Sequence, residues 1–211
     1  MYIHLSREGV VAGRPRGLDD AVILQATAEV IGEVGPAKLT LAAVAREVGM
    51  VPGTLVQRFG SKRGLLLALA AQSAAGSRTL PERARAAHDS ALAALTALAV
   101  DQLAPMVTPE AFANHLAFLC IDLTDPDFHQ HALTIHEAQG DAIRALLADA
   151  VSEGELAPGT DVESLTRTVR SVIAGAGLTW ALDREGTLPR RVAQQIDDVL
   201  APHLRSAKEG S

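Results

Sequence analysis

Asp127, His129, His131 and His136 lie close together in this 211-residue chain, and all four are side chains that can hold a transition metal. A metal site needs such ligands to converge on one point. On a helix His129 and His136 share a face while His131 points elsewhere, and the chain has neither an HExxH run nor cysteine pairs at zinc spacing. The plainer reading is a solvated helix start with one inward His, and no metal or cofactor is expected. A metal-assisted hydrolase built on His129, His131 and His136 is the enzymatic rival. There is no GxSxG elbow, glycine-rich phosphate loop or other nucleophile motif. The single cysteine, Cys120, cannot close an intrachain disulfide and sits in an apolar run that should blunt its reactivity. Enzyme chemistry is therefore not expected.

Hydrogen-bonding side chains suited to a different task fall between Thr40 and Lys62. Leu41, Val44, Ala45 and Val48 recur at the period of an amphipathic helix, which Gly49 ends. A second short helix, Pro52 to Phe59, restarts after about three residues and is pinned inward by Leu55 and Phe59. Two helices so closely joined must cross steeply, as in a helix-turn-helix. The second would leave Pro52, Gly53, Val56, Gln57 and Arg58 on a free flank of a width that fits the major groove of DNA. Gln57 and Arg58 are the donors for base edges, and Thr54 and Lys62 the candidates for backbone contacts. Gly60 and Ser61 end this helix and cap the next, so Lys62 falls in a first turn, where free backbone N–H groups favour a phosphate. Thr40 reads as the N-cap of the first helix of the pair. Its hydroxyl is explained by capping alone, or it reaches phosphate as well; Ala43 stands where a capping box would have an acid.

Leu39-Thr40, Ala45, Gly49, Gly53-Thr54-Leu55, Phe59, Ser61-Lys62 and Leu65-Leu66 resemble, in order and without a gap, the DNA-binding domain of TetR-type transcriptional regulators. The resemblance covers residues 18–70, about a quarter of the chain. It departs from the family at Val56 and Arg58, where a Tyr and a His are common. Val56 could instead touch a thymine methyl, and Arg58 could contact phosphate. The resemblance implies a homodimer on a palindromic operator, most simply a repressor released by a small molecule. A helical sensor or interaction module without DNA binding is the second rival.

The elements around this unit must position it. Nearly half the residues are apolar and only 3% are aromatic, which favours packed helices, so the fold expected is all-α. Net charge is −6, yet residues 1–75 carry eight Lys or Arg against six Asp or Glu, while residues 76–211 carry eleven against nineteen. An acidic body held farther from a duplex than the Debye length of about 8 Å need not cancel a local basic face. Residues 1–17 form a basic arm ahead of the first helix. Arg14 and Arg16 could reach an adjacent minor groove, or the segment is simply a tail. Residues 18–75 would be the DNA-binding domain and residues 76–211 a helical ligand-binding and dimerisation domain. No run approaches the roughly 18 apolar residues of a membrane span, so no membrane partner and a cytoplasmic location are expected.

Beyond Pro81 the pattern predicts five more helices. The second contains Leu116 to Ile121, apolar on every side, which implies a central helix surrounded by others. His136 and Gln139 fall on the inner face of the third, where they either find partners in the core or line a cavity. Phe112, His115, Leu119, Cys120, His136, Gln139 and Trp180 are the candidate walls of a pocket for a largely apolar compound with one or two polar groups. The last two helices carry stripes of Val169, Val172, Ile173 and Ala176, and of Val192, Ile196, Val199 and Leu200. These either complete the core or pack against a second copy as a four-helix interface, the outcome the resemblance implies.

Overall fold

The structure, a computed structural model, describes residues 18–205. Among these residues ten α-helices follow one another: α1 Asp20–Lys38, α2 Leu41–Glu47, α3 Pro52–Phe59, α4 Lys62–Ser77, α5 Leu80–Ala86, α6 Ala91–Leu103, α7 Pro109–Thr124, α8 Pro126–Ser152, α9 Val162–Asp183 and α10 Leu188–Leu200. The fold is all-α. Among the described residues the only β pairing is an isolated bridge between Leu156 and Leu204.

Helix starts follow from local capping chemistry. Asp19, Thr40, Ser61, Thr108 and Asp161 each accept a hydrogen bond from a backbone N–H in the first turn of α1, α2, α4, α7 and α9, and each such cap is worth about 1 kcal/mol. Gly49 and Gly60 take the positive φ values, 66° and 74°, that let the chain turn out of α2 and α3. α1 continues past a bend at Gly35, whose φ is 78°, before Pro36 restarts it.

Two apolar clusters hold the helices together. The first joins Ile23 and Ile31 of α1, Val44 of α2, Leu55 of α3 and Leu65 and Leu69 of α4, and α8 contributes Phe128 to it. The second joins Leu95 of α6, Phe112 of α7, Ile143 and Leu147 of α8, Val169 and Trp180 of α9, and Ile196 of α10. Burying each such aliphatic side chain contributes about 1.5–3 kcal/mol. The close approach of α7 to α9 depends on Gly177, where a Cβ would lie 2.2 Å from a Phe112 ring carbon.

Two expectations about elements are corrected. Six helices, not five, follow α4, because α5 forms where a boundary was expected; seven residues are too few to display a helical period. α7 is not enclosed. Leu116 and Leu119 are 41% and 43% exposed, and Cys120 is exposed as well. The helix packs on α1, α8 and α9, and its apolar remainder faces a cleft and solvent.

Candidate nucleic-acid interface and ligand cavity

Leu55 is fully buried and Phe59 half-buried, so α3 is anchored along one side and presents the other. Pro52, Gly53, Val56, Gln57 and Arg58 are exposed, and Thr54 is half-buried beside them. Thr40 caps α2, its hydroxyl accepting from the Ala43 N–H at 3.1 Å. Arg58 does not project freely. Its guanidinium turns back on α1, donating to the Leu18 carbonyl at 2.5 Å and pairing with Asp20 at 2.5 Å. Lys62 donates to the Ala37 carbonyl at 3.1 Å from the first turn of α4, where the leading backbone N–H groups of a helix have no intrahelical partner. Arg14 and Arg16 lie outside the described residues.

The junction between α3 and α4 is tight. A Cβ at Gly64 would fall 2.0 Å from the Phe59 carbonyl oxygen, so the two helices meet with no room for a side chain. One residue earlier, Arg63 reaches across to the bundle. It pairs with Asp125 at 2.9 Å and Asp127 at 2.8 Å, where α7 passes into α8, and its guanidinium lies 5.5 Å from the centre of the Phe128 ring. The hydrogen bond from Arg63 holds the Asp125 carboxyl below the usual carboxylate range. Phe128 in turn meets Phe118 edge-on, with ring centres 6.2 Å apart. A second tie joins α7 to α1, where the Asn114 amide donates to the Gly32 carbonyl at 2.8 Å and fills the space beside Gly35.

Phe118 also lines a cavity of about 390 Å³ between α6, α7, α8 and α9. Phe112, His115, Leu119, His136 and Gln139 are in its wall, as are Gln102, Leu103, Met106, Leu116, Asp122, Ile143, Arg170, Ile173 and Ala174. His136 contacts the Arg170 guanidinium, which also donates to the His136 carbonyl at 3.2 Å. Burial, reinforced by that cation, lowers the imidazole's pKa. Asp122, Gln102 and Arg170 are polar wall residues that periodicity overlooked, and only Asp122 carried a local signal. The available signal was a lone carboxylate seven residues after His115, inside an otherwise apolar stretch.

Cys120 and Trp180 do not line this cavity. Cys120 points to solvent, and Trp180 is buried in the core with its indole N–H donating to the Gly186 carbonyl at 3.3 Å. The proposed interface stripe is corrected as well. Val169, Ile173, Ala176, Val192, Ile196 and Leu200 are all buried within the protomer's own core, and Val172 and Val199 are half-buried. Apolar periodicity marks the inner face of a helix, and these residues complete the bundle. The outward face of α9 instead offers Ser171, Gly175, Leu178 and Leu182.

Asp127 is held by Arg63, and among the described residues no three His, Cys, Asp or Glu side chains are grouped as a metal would require. No helix among them is long and apolar enough to cross a membrane.

These features define an all-helical protein with an N-terminal helix-turn-helix and a cavity-bearing helical bundle behind it. Residues 23–69 match the family model for bacterial regulatory proteins of the tetR family. No curated protein matches the chain. Among solved structures, a transcriptional regulator from Saccharomonospora viridis in complex with choline is similar over 89% of this chain and 97% of its own, at 16% identity and a TM-score of 0.69. SmeT, the repressor of the Stenotrophomonas maltophilia multidrug efflux pump SmeDEF, is similar over 90% and 93%, at 19% identity and a TM-score of 0.63. FadR from Bacillus subtilis in complex with stearoyl-CoA is similar over 87% and 98%, at 18% identity and a TM-score of 0.58. Over most of its length the chain thus shares the fold of these regulators.

Proposed function

We propose that the chain is a cytoplasmic, ligand-responsive DNA-binding transcriptional regulator, a homodimeric repressor released from a palindromic operator when a small molecule enters the cavity. The observation that carries this reading is the exposed flank of α3, centred on Gln57, within a domain matching the tetR family model. In this reading residues 18–75 bind DNA, and residues 76–211 sense the ligand and dimerise. Gln57 reads a base edge, Val56 lies against a thymine methyl, and Thr54 and Lys62 meet phosphates. Arg58 orients α3 through Asp20. Arg14 and Arg16 reach an adjacent minor groove in this reading.

The proposed dimer uses the outer face of α9. Leu178 and Leu182 are 49% and 77% exposed there, beside the small residues Ser171 and Gly175 that let a second helix approach. Two copies of α3 related by a two-fold axis require half-sites about one helical turn or a multiple apart. That the fold neighbours include proteins bound to choline and to stearoyl-CoA favours an organic effector in this fold. Selection of bound duplexes from a randomised pool tests the reading. A palindrome with that spacing is expected, and recovery of no sequence preference overturns it.

A further inference from the structure

We propose that the effector is an organic cation whose positive centre pairs with Asp122 and whose hydrocarbon body lies on the apolar wall of the cavity. This assignment rests on the cavity being the effector site. Among the described residues two buried side-chain polar atoms lack a hydrogen-bond partner, Asp122 Oδ1 and Gln102 Nε2, and both residues line this one cavity. Native proteins seldom leave buried polar atoms unpaired, and an unmet acceptor and an unmet donor in one wall mark positions that a ligand completes.

The sign of the charge follows from the surroundings of Asp122. No Lys, Arg or His pairs with it among the described residues, and burial alone pushes its carboxyl up to about 6. At neutral pH it is therefore still largely an anion without a counter-ion. Arg170, the cation of the same wall, is engaged with His136, and His115 bonds through Nδ1 to the Ala111 carbonyl at 2.8 Å. A neutral ligand would strip water from Asp122 and leave its charge unmatched, and an anionic one would add repulsion. An ammonium centre neutralises it and gains from nearby aromatic rings such as Phe118. An oxygen elsewhere on the ligand would meet Gln102.

The test uses the full-length dimer and one hydrocarbon tail bearing three heads: octyltrimethylammonium, 1-octanol and octyl sulfate. Calorimetry is expected to show the ammonium binding at least about tenfold tighter than the alcohol, with the sulfate weakest. In Asp122→Asn the ammonium and alcohol should fall within about threefold of each other. That variant should melt no lower than the parent, so that lost discrimination is not lost folding. Equal or tighter binding of the alcohol or sulfate to the parent overturns the assignment. So does an unchanged preference in the variant, or no binding by any member. Affinity for the selected palindrome, measured in the same mixtures, separates the two claims. Charge preference without release of DNA defeats the effector reading alone, whereas release by octanol or octyl sulfate defeats the cation assignment alone.

Discussion

At the scale of single residues, Lys62 and Gln57 should fail in different ways. Lys62→Ala removes a cation at a helix start, so it should weaken binding to all sequences alike and lower the magnitude of the log-log salt slope by about one per protomer. Titrations across ionic strength check this, and an unchanged slope would remove Lys62 from the phosphate contacts. Gln57→Ala should relax preference at one base position per half-site, read by repeating the duplex selection. Asp122 gives a pH signature in stability. Its carboxyl is raised from 3.8 to about 6 in the folded chain, so the folded state binds more protons than the unfolded one between those values. Its contribution is most favourable below the unfolded value, declines as pH rises toward the folded value, and is a constant penalty above it. Asp122→Asn removes that penalty. Its melting temperature relative to the parent should climb from pH 4 to pH 7, toward a gain of at most about 3 kcal/mol, reduced because the residue is only half-buried. A difference that is flat with pH would contradict the burial of this carboxyl.

The individual helices divide into what neighbouring residues dictate and what only the folded chain creates. The starts of α1, α2, α4, α7 and α9 could be read from Asp19, Thr40, Ser61, Thr108 and Asp161, because a cap involves residues two or three apart. The flank of α3 was equally legible from Leu55 and Phe59. The cavity was legible only in part. His115, His136 and Gln139 stood out as polar groups on apolar faces, but Gln102 and Arg170 depend on how α6 and α9 rotate against α7, which no local spacing encodes. The link from Arg63 to Asp125 and Asp127 spans 62 and 64 residues of sequence, so it arises only when α4 meets the α7–α8 corner. That link sets an expectation for α4. Arg63→Met should leave the fold intact while weakening the ligand's influence on DNA affinity by roughly two- to thirtyfold. DNA titrations with and without ligand measure this, and undiminished coupling would mean that the connection runs elsewhere.

For the molecule as a whole, the dimer proposed through the outward face of α9 is what would let two copies of α3 act together. Leu178→Glu with Leu182→Glu should yield a monomer by sedimentation, with its helical content retained. Affinity for the full palindrome should fall by about 10²–10⁴, since each half-site is then bound alone. A dimer that survives both changes would place the interface on another surface. The DNA-binding unit is joined to the bundle by two polar ties, Asn114 on Gly32 and Arg63 on the Asp125–Asp127 corner, and by the packing of Phe118, Ile121 and Phe128 against its apolar core. A joint packed in this way shifts between discrete arrangements rather than bending freely. Phe118 belongs both to the cavity wall and to the packing around the DNA-binding unit's core, so a molecule that displaced this ring would disturb the seat of α3 without touching it.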